Sequence, residues 1–242
     1  MECPVCNSSH VIKNGKTHNN KQNHICKDCG KQFINNPEKK AVPESKKELI
    51  DRLLLEKIPL AGIARAVEVS EKWLQDYVNE KYENISREIE YTEPLNKDTE
   101  IVIEADEMWS YVGKKESKEW IWIALEKKTR MVVGLFIGDR SGESAKKLIK
   151  SIPEKFINKK TKFYTDYWNS YKDAIDSEQH FAVGKDSGKT NHIERFNNTM
   201  RQRVSRLVRS TLSFSKKLKN HTGAIWNFVH HYNATRLAAI KS

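Results

Sequence analysis

Residues 100–137 read EIVIEADEMWSYVGKKESKEWIWIALEKKTRMVVGLFI. Three runs within it, Glu100 to Ala105, Glu119 to Leu125 and Met131 to Ile137, are rich in β-branched and aromatic residues and are joined by polar turns. Such side chains suit a pleated, half-buried surface, so three runs in succession predict an antiparallel meander. Downstream, Ser144 to Ile152 is spaced as a helix, Lys162 to Thr165 as a short strand, Ser170 to Ile175 as a short helix and His180 to Val183 as another strand. A long helix starts near Asn191. The order βββαβαβα is the ribonuclease-H-like arrangement, an α/β fold, expected over residues 98–242.

In that arrangement strands one and four are neighbours, which gives the carboxylates at their ends a common purpose. Asp106 stands where the first apolar run ends, Asp166 follows Phe163-Tyr164-Thr165, and Glu194 lies in the first turn of the last helix. Singly, each has a plainer explanation: Asp is common in turns, and Asn191-x-x-Glu194 can cap a helix. As a set they can share two Mg2+ ions, with Mn2+ as a substitute. Two such ions about 4 Å apart stabilise the attacking and leaving oxygens of an in-line phosphoryl displacement. Glu107 and Asp139 are the substitute ligands, and His192 is placed to orient a carboxylate or a phosphate.

On the last helix Ile193, Phe196, Met200, Val204 and Leu207 form an apolar stripe, flanked by a polar stripe of Glu194, Asn198 and Arg201. Glu194 and Arg201 lie two turns apart, so Arg201 can hold a phosphate beside the carboxylates. Arg195, Arg203, Arg206 and Arg209 extend a positive surface suited to DNA. Five of the chain's 11 arginines fall within these 15 residues, which argues against an ordinary solvated face. Trp109, Trp120, Trp122 and Trp168 are read as packing residues.

Upstream, Cys3-Pro4-Val5-Cys6 and Cys26-Lys27-Asp28-Cys29 are two C-x2-C knuckles separated by 19 residues, and the rest of the chain has no cysteine. This is the spacing of one structural, four-thiolate Zn2+ site, which would supply the folding free energy of a segment, residues 1–36, too small to bury a core. His10, His18 and His24 are spare ligands. Residues 35–45 carry Pro37 and Pro43 and read as a linker. Residues 44–82 then predict three short helices: Lys46 to Glu56, Leu60 to Val67, and Glu71 to Lys81 capped by Ser70. The tight corner between the second and third is that of a helix-turn-helix, whose last helix enters the major groove with Lys72, Trp73 and Gln75 toward DNA. A generic three-helix bundle with Trp73 in its core is the alternative. Residues 82–98 are charged and mark a boundary.

The 242 residues carry a net charge of +11, which points to a polyanionic partner, double-stranded DNA first. The N-terminus has no apolar signal core and no run is long enough to span a membrane, so a cytoplasmic location is expected.

CPVC, KNGKTHNNKQNHICKDCGKQF, DEMWSYVGKK (106–115), GDRS (138–141), YTDYW (164–168) and HIERFNNTMRQRVSRLVRSTLSFSKK (192–217) together resemble the transposases of the bacterial insertion-sequence-one family. The resemblance runs over nearly the whole chain. It implies a DDE catalytic triad of Asp106, Asp166 and Glu194, with Arg201 at the basic position seven residues on. It also implies a substrate, the terminal inverted repeats of the encoding element, in a prokaryotic, nucleoid-associated setting. Similar members are often assembled from two overlapping reading frames, whereas this is one uninterrupted chain. The function implied is metal-dependent strand cleavage and strand transfer by a homodimer or higher oligomer. A non-catalytic DNA-binding regulator and a structure-specific nuclease are the alternatives; the first needs no three suitable carboxylates, and the second cleaves without joining.

Overall fold

The computed structural model describes residues 1–17, 20–35, 41–91, 99–207 and 214–241. The chain forms two compact units, Met1–Glu44 and Ser45–Ser242. In the first, strands β1 (Val11–Lys16), β2 (Gln22–Cys26) and β3 (Gln32–Ile34) form an antiparallel sheet in that order. Its buried residues, among those described, are Cys3, His24 and Cys26.

The second unit opens with α1 (Glu44–Leu53), α2 (Leu60–Val67) and α3 (Glu71–Asn84). The corner is built as the sequence demands: Glu68 ends α2 at a φ of 57°, and the Ser70 hydroxyl accepts the Trp73 N–H at 3.2 Å to start α3. There follow β4 (Val102–Tyr111), β5 (Lys118–Glu126), β6 (Val132–Gly138), α4 (Gly142–Lys150), β7 (Lys162–Thr165), β8 (His180–Ala182), α5 (Asn191–Arg203) and α6 (Leu218–Lys241). The five strands form one mixed sheet in the order β6-β5-β4-β7-β8. The predicted meander is antiparallel, and β7 and β8 join it in parallel beside β4. Among the described residues no helix is long and apolar enough to cross a membrane.

Three expectations need correction. Asp106 does not end its strand: β4 runs on to Tyr111 because β5 pairs with it throughout, Asp106 lying opposite Ile123. Only the pairing with β7 stops short, at Glu104 and Tyr164. The helix expected at Ser170 to Ile175 is a single 3-10 turn, Asn169–Tyr171, since one turn suffices to drive the fully buried Tyr171 into the core. The helix expected to run from Asn191 through Leu207 is α5, which ends at Arg203, where Val204 turns extended. Val204 and Leu207 are buried all the same, so the apolar spacing runs on through the break.

The sheet separates two cores. Ile103, Ala105, Trp122, Ala124 and Val133 meet α4 and the 3-10 segments on one face. On the other, Met108, Ile121, Ile123 and Leu125 meet α5 and α6, and this core continues into Ile63, Leu74, Val78 and Tyr82 of α2 and α3. The three N-terminal helices of this unit thus share a core with the sheet. Where α3 crosses α6, a Cβ built on Gly223 would stand 2.3 Å from Tyr82 Cβ and 2.9 Å from its Cα, so only glycine lets the helices meet. Gly223→Ala should lower stability by roughly 1–3 kcal/mol in urea denaturation, the cost of overpacking; an unchanged midpoint would contradict the crossing.

Also on α6, the fully buried His221 has its Nε2 2.8 Å from the Ser110 hydroxyl of β4. Burial, helped by the charge of Arg206, lowers its pKa from 6.5 to about 4. The folded chain therefore keeps the ring neutral where an unfolded chain takes up a proton. Its contribution is full above pH 6.5 and is lost as pH falls toward 4, on the order of 3 kcal/mol in all. His221→Gln should flatten the pH dependence of stability across that window; an undiminished slope would show that other groups carry it.

Candidate active site

Side chains alternate along β4, which sends Asp106 to the α5 face and Glu107 to the opposite one. Asp106 lies just past the last residue paired with β7, where the sheet opens. Asp166 follows the last residue of β7, and its Oδ1 accepts the Trp168 N–H at 2.9 Å. Glu194 comes from the first turn of α5, its Oε1 accepting from the Thr190 hydroxyl at 3.2 Å. Arg201, two turns on, donates from Nη2 to the Trp109 carbonyl at 3.4 Å. Asp106, Asp166, Glu194 and Arg201 all line one cavity of about 410 Å3, with Trp109, Asn197 and Asn198.

Its electrostatics are those of crowded acid. Burial pushes the Asp106 carboxyl up from 3.8 to about 7, and the neighbouring Glu107 and Asp166 add repulsion. Glu107 is also raised, chiefly by burial. Hard oxygen donors with unbalanced negative charge are the donor set that divalent Mg2+ or Mn2+ takes. Asn197 donates from Nδ2 to Asp106 Oδ2 at 2.8 Å, while its own Oδ1 is buried without a partner among the described residues. An orphaned oxygen beside crowded carboxylates fits a cation. The ligand atoms of the three carboxylates do not converge as tightly as those of the four cysteines, which are the one such group within 4.8 Å among the described residues.

No sequence motif singles out Asn197, although its place three residues after Glu194 sets it on the same face of α5. The substitute ligands are otherwise engaged. Glu107 takes Arg140 Nε and Nη2 at 3.0 and 2.7 Å and the Tyr171 hydroxyl at 3.0 Å. Arg140 is itself held between Trp120 and Trp168, 4.3 and 3.8 Å from their ring centres, so this cluster fixes the loop that carries Asp166. Asp139 accepts from Ser141 at the start of α4. Trp122 is fully buried, whereas Trp109 and Trp168 are partly exposed.

The predicted DNA-facing residues are dispersed. Lys72 and Gln75 are exposed on α3, Lys72 pairing with Asp76 at 2.8 Å, while Trp73 is half-buried and stacks on Tyr77. The exposed face of α3 also carries Glu71, Asp76, Glu80 and Glu83. Arg195 is exposed, Arg203 pairs with Glu56 at 2.7 Å, and Arg206 donates to the Ser215 hydroxyl at 3.2 Å. Arg209 lies outside the described residues, as does His18.

In the small unit, Cys3 Sγ lies 3.5 Å from Cys29 Sγ, and Cys6 Sγ 3.6 Å from Cys26 Sγ. A tetrahedron of thiolates at about 2.3 Å from Zn2+ has edges of about 3.8 Å. The thiols therefore fit the ion. Each knuckle closes alike, the N–H of Asn7 or Gly30 donating to the first cysteine's carbonyl with that residue at positive φ. His10 is engaged with Asp28 at 3.1 Å.

Against known proteins, a family model described as IS1 transposase matches residues 100–233. The insertion element iso-IS1n protein InsB of Shigella dysenteriae is 33% identical over 134 residues, covering 54% of this chain and 96% of that protein. The insertion element IS1 protein InsB of Shigella flexneri is 31% identical over 134 residues, covering 54% and 98%. A Mos1 transposase paired-end complex with left transposon end aligns over 84% of this chain and 82% of that one, at 9% identity and a TM-score of 0.30, a likeness too slight to carry an argument.

Proposed function

This chain belongs to the IS1 transposase family, and from that premise we propose that residues 98–242 are a ribonuclease-H-like DDE domain that cleaves and joins DNA strands at the ends of an insertion sequence. One observation carries the reading: two aspartates, a glutamate and an arginine from three separate elements line a single cavity. Asp106, Asp166 and Glu194 would hold two Mg2+ ions, which supply an activated nucleophile and stabilise the leaving oxygen. The chain's own residues do the rest. Asn197 holds the Asp106 carboxylate, and the Trp168 N–H holds one oxygen of Asp166, a residue of the cavity wall. Arg201 holds a non-bridging phosphate oxygen at the rim, and the partly exposed Trp109 and Trp168 border the path of the strand.

Residues 1–36, folded around one Zn2+, and the helix-turn-helix of residues 44–82 bind the terminal inverted repeats. Lys72, released from Asp76, and Gln75 would approach base edges from the exposed face of α3, with Trp73 bracing the helix. Arg195, Arg203, Arg206 and Arg209 contact phosphates. A homodimer or higher oligomer would bring two ends together in the prokaryotic cytoplasm, on the nucleoid. The test is an assay on DNA bearing the element's own ends, with Mg2+. Joined product is the expected result; cleavage without joining would favour a nuclease, and binding without cleavage a regulator.

A further inference from the structure

A buried carboxylate outside the proposed triad ties two of the triad's elements together. Glu104 lies on β4 two residues before Asp106, on the same face, with its side chain 0% exposed. Its Oε2 accepts the backbone N–H groups of His192 at 2.9 Å and Ile193 at 3.0 Å, and its Oε1 lies 2.8 Å from His192 Nδ1. Those two amides belong to the first turn of α5 and have no partner within the helix. The residue that would ordinarily serve them, Thr190 at the N-cap, makes no capping bond; its hydroxyl goes to Glu194 instead. A strand residue 88 positions away thus does the capping.

We propose that Glu104 is a positioning residue for the reaction: by capping α5 from β4 it fixes the height and rotation of that helix, and so sets Glu194 against Asp106. The inference rests on the pocket being the catalytic site. Three bonds to one carboxylate from one helical turn leave that turn little freedom to slide or rotate, and a buried anion at a helix start is favoured by the amides it meets. Glu194 is the residue immediately after Ile193, so a shift of the capped turn moves it directly. Lys127, 3.9 Å from Glu104, is the nearby cation.

The test compares full-length wild type with Glu104→Gln, which keeps the shape and one acceptor, and Glu104→Ala, which removes the cap. Three quantities are read: hydrogen exchange at the amides of residues 192 and 193, affinity for Mn2+ alone, and kcat and KM for strand cleavage. The expected result is faster exchange at those amides, strongest in Glu104→Ala, with Mn2+ affinity and kcat down roughly 10–100-fold, as when a residue supporting a metal ligand is lost. KM for DNA should hold. Mn2+ affinity and kcat within threefold of wild type in a folded Glu104→Ala or Glu104→Gln protein would overturn the positioning role. Should wild type itself bind no Mn2+ and cleave no DNA, the reading of the pocket falls, and exchange alone decides the clamp: equal rates in wild type and Glu104→Ala overturn it.

Discussion

Asp106→Asn should abolish strand cleavage, by roughly 1000-fold or more, the scale of losing a preorganised charged group from an active site, while leaving the protein folded. The substitution keeps the shape of the side chain, and the Asn197 Nδ2 that now donates to Asp106 can donate equally to an asparagine oxygen. What goes is the charge that a divalent cation needs. The same variant makes a second, opposite prediction about stability. In chelated, metal-free protein the Asp106 carboxyl titrates near 7, not 3.8, because it is buried beside Glu107 and Asp166. Folding then opposes ionisation, so the cost is absent below pH 3.8, grows as pH rises and is complete above about 7. Asparagine carries no such cost. The variant's melting temperature relative to wild type should therefore climb between pH 4 and pH 8, as expected where function is held at the expense of stability. A variant that cleaves normally would show that Asp106 holds no essential cation, and one that loses stability relative to wild type as pH rises would show that burial does not oppose ionisation of Asp106.

Removing Zn2+ should unfold residues 1–35 outright. Cys3 and Cys26, two of the proposed ligands, are two of the three buried residues described there, and His24 is the third. With so little apolar area withdrawn from water, no hydrophobic term can offset chain entropy, and the fold depends on metal binding worth roughly 10–16 kcal/mol. Chelation, or Cys26→Ser, should collapse the amide dispersion of this segment in NMR spectra, and wild type should bind one Zn2+ per chain. Residues 45–242 have separate cores and should melt as before. Retained dispersion after complete chelation would contradict the metal's structural role.

Strands and helices were legible where burial imposes a period. The β-rich runs at Glu119 to Leu125 and Met131 to Ile137 match β5 and β6 to within a residue or so, and α2 coincides with its apolar spacing. Elsewhere tertiary contacts decide, and the sequence pattern does not show them. DEMWSY at 106–111 is a strand because β5 pairs along all of it, something its mixed polarity hides. The break after Arg203 is invisible to periodicity because Met200 before it and Val204 and Leu207 after it are all buried. The same limit applies to the pocket. Asp106, Asp166 and Glu194 stood out by their places on the elements, whereas Asn197, Arg140 and Glu104 stood out only by partners 91, 33 and 88 residues away. Long-range pairing of polar side chains leaves no periodic trace in a single sequence.

If Asp106, Asp166 and Glu194 form one cation-binding centre, anomalous diffraction from crystals of the full chain soaked in Mn2+ will locate the ion there. Anomalous density is expected in contact with Asp106 and Asp166 and bordering Glu194, and is expected to be lost in Asp166→Asn. Mn2+ ordered elsewhere at saturating concentration, with these carboxylates left bare, would contradict it.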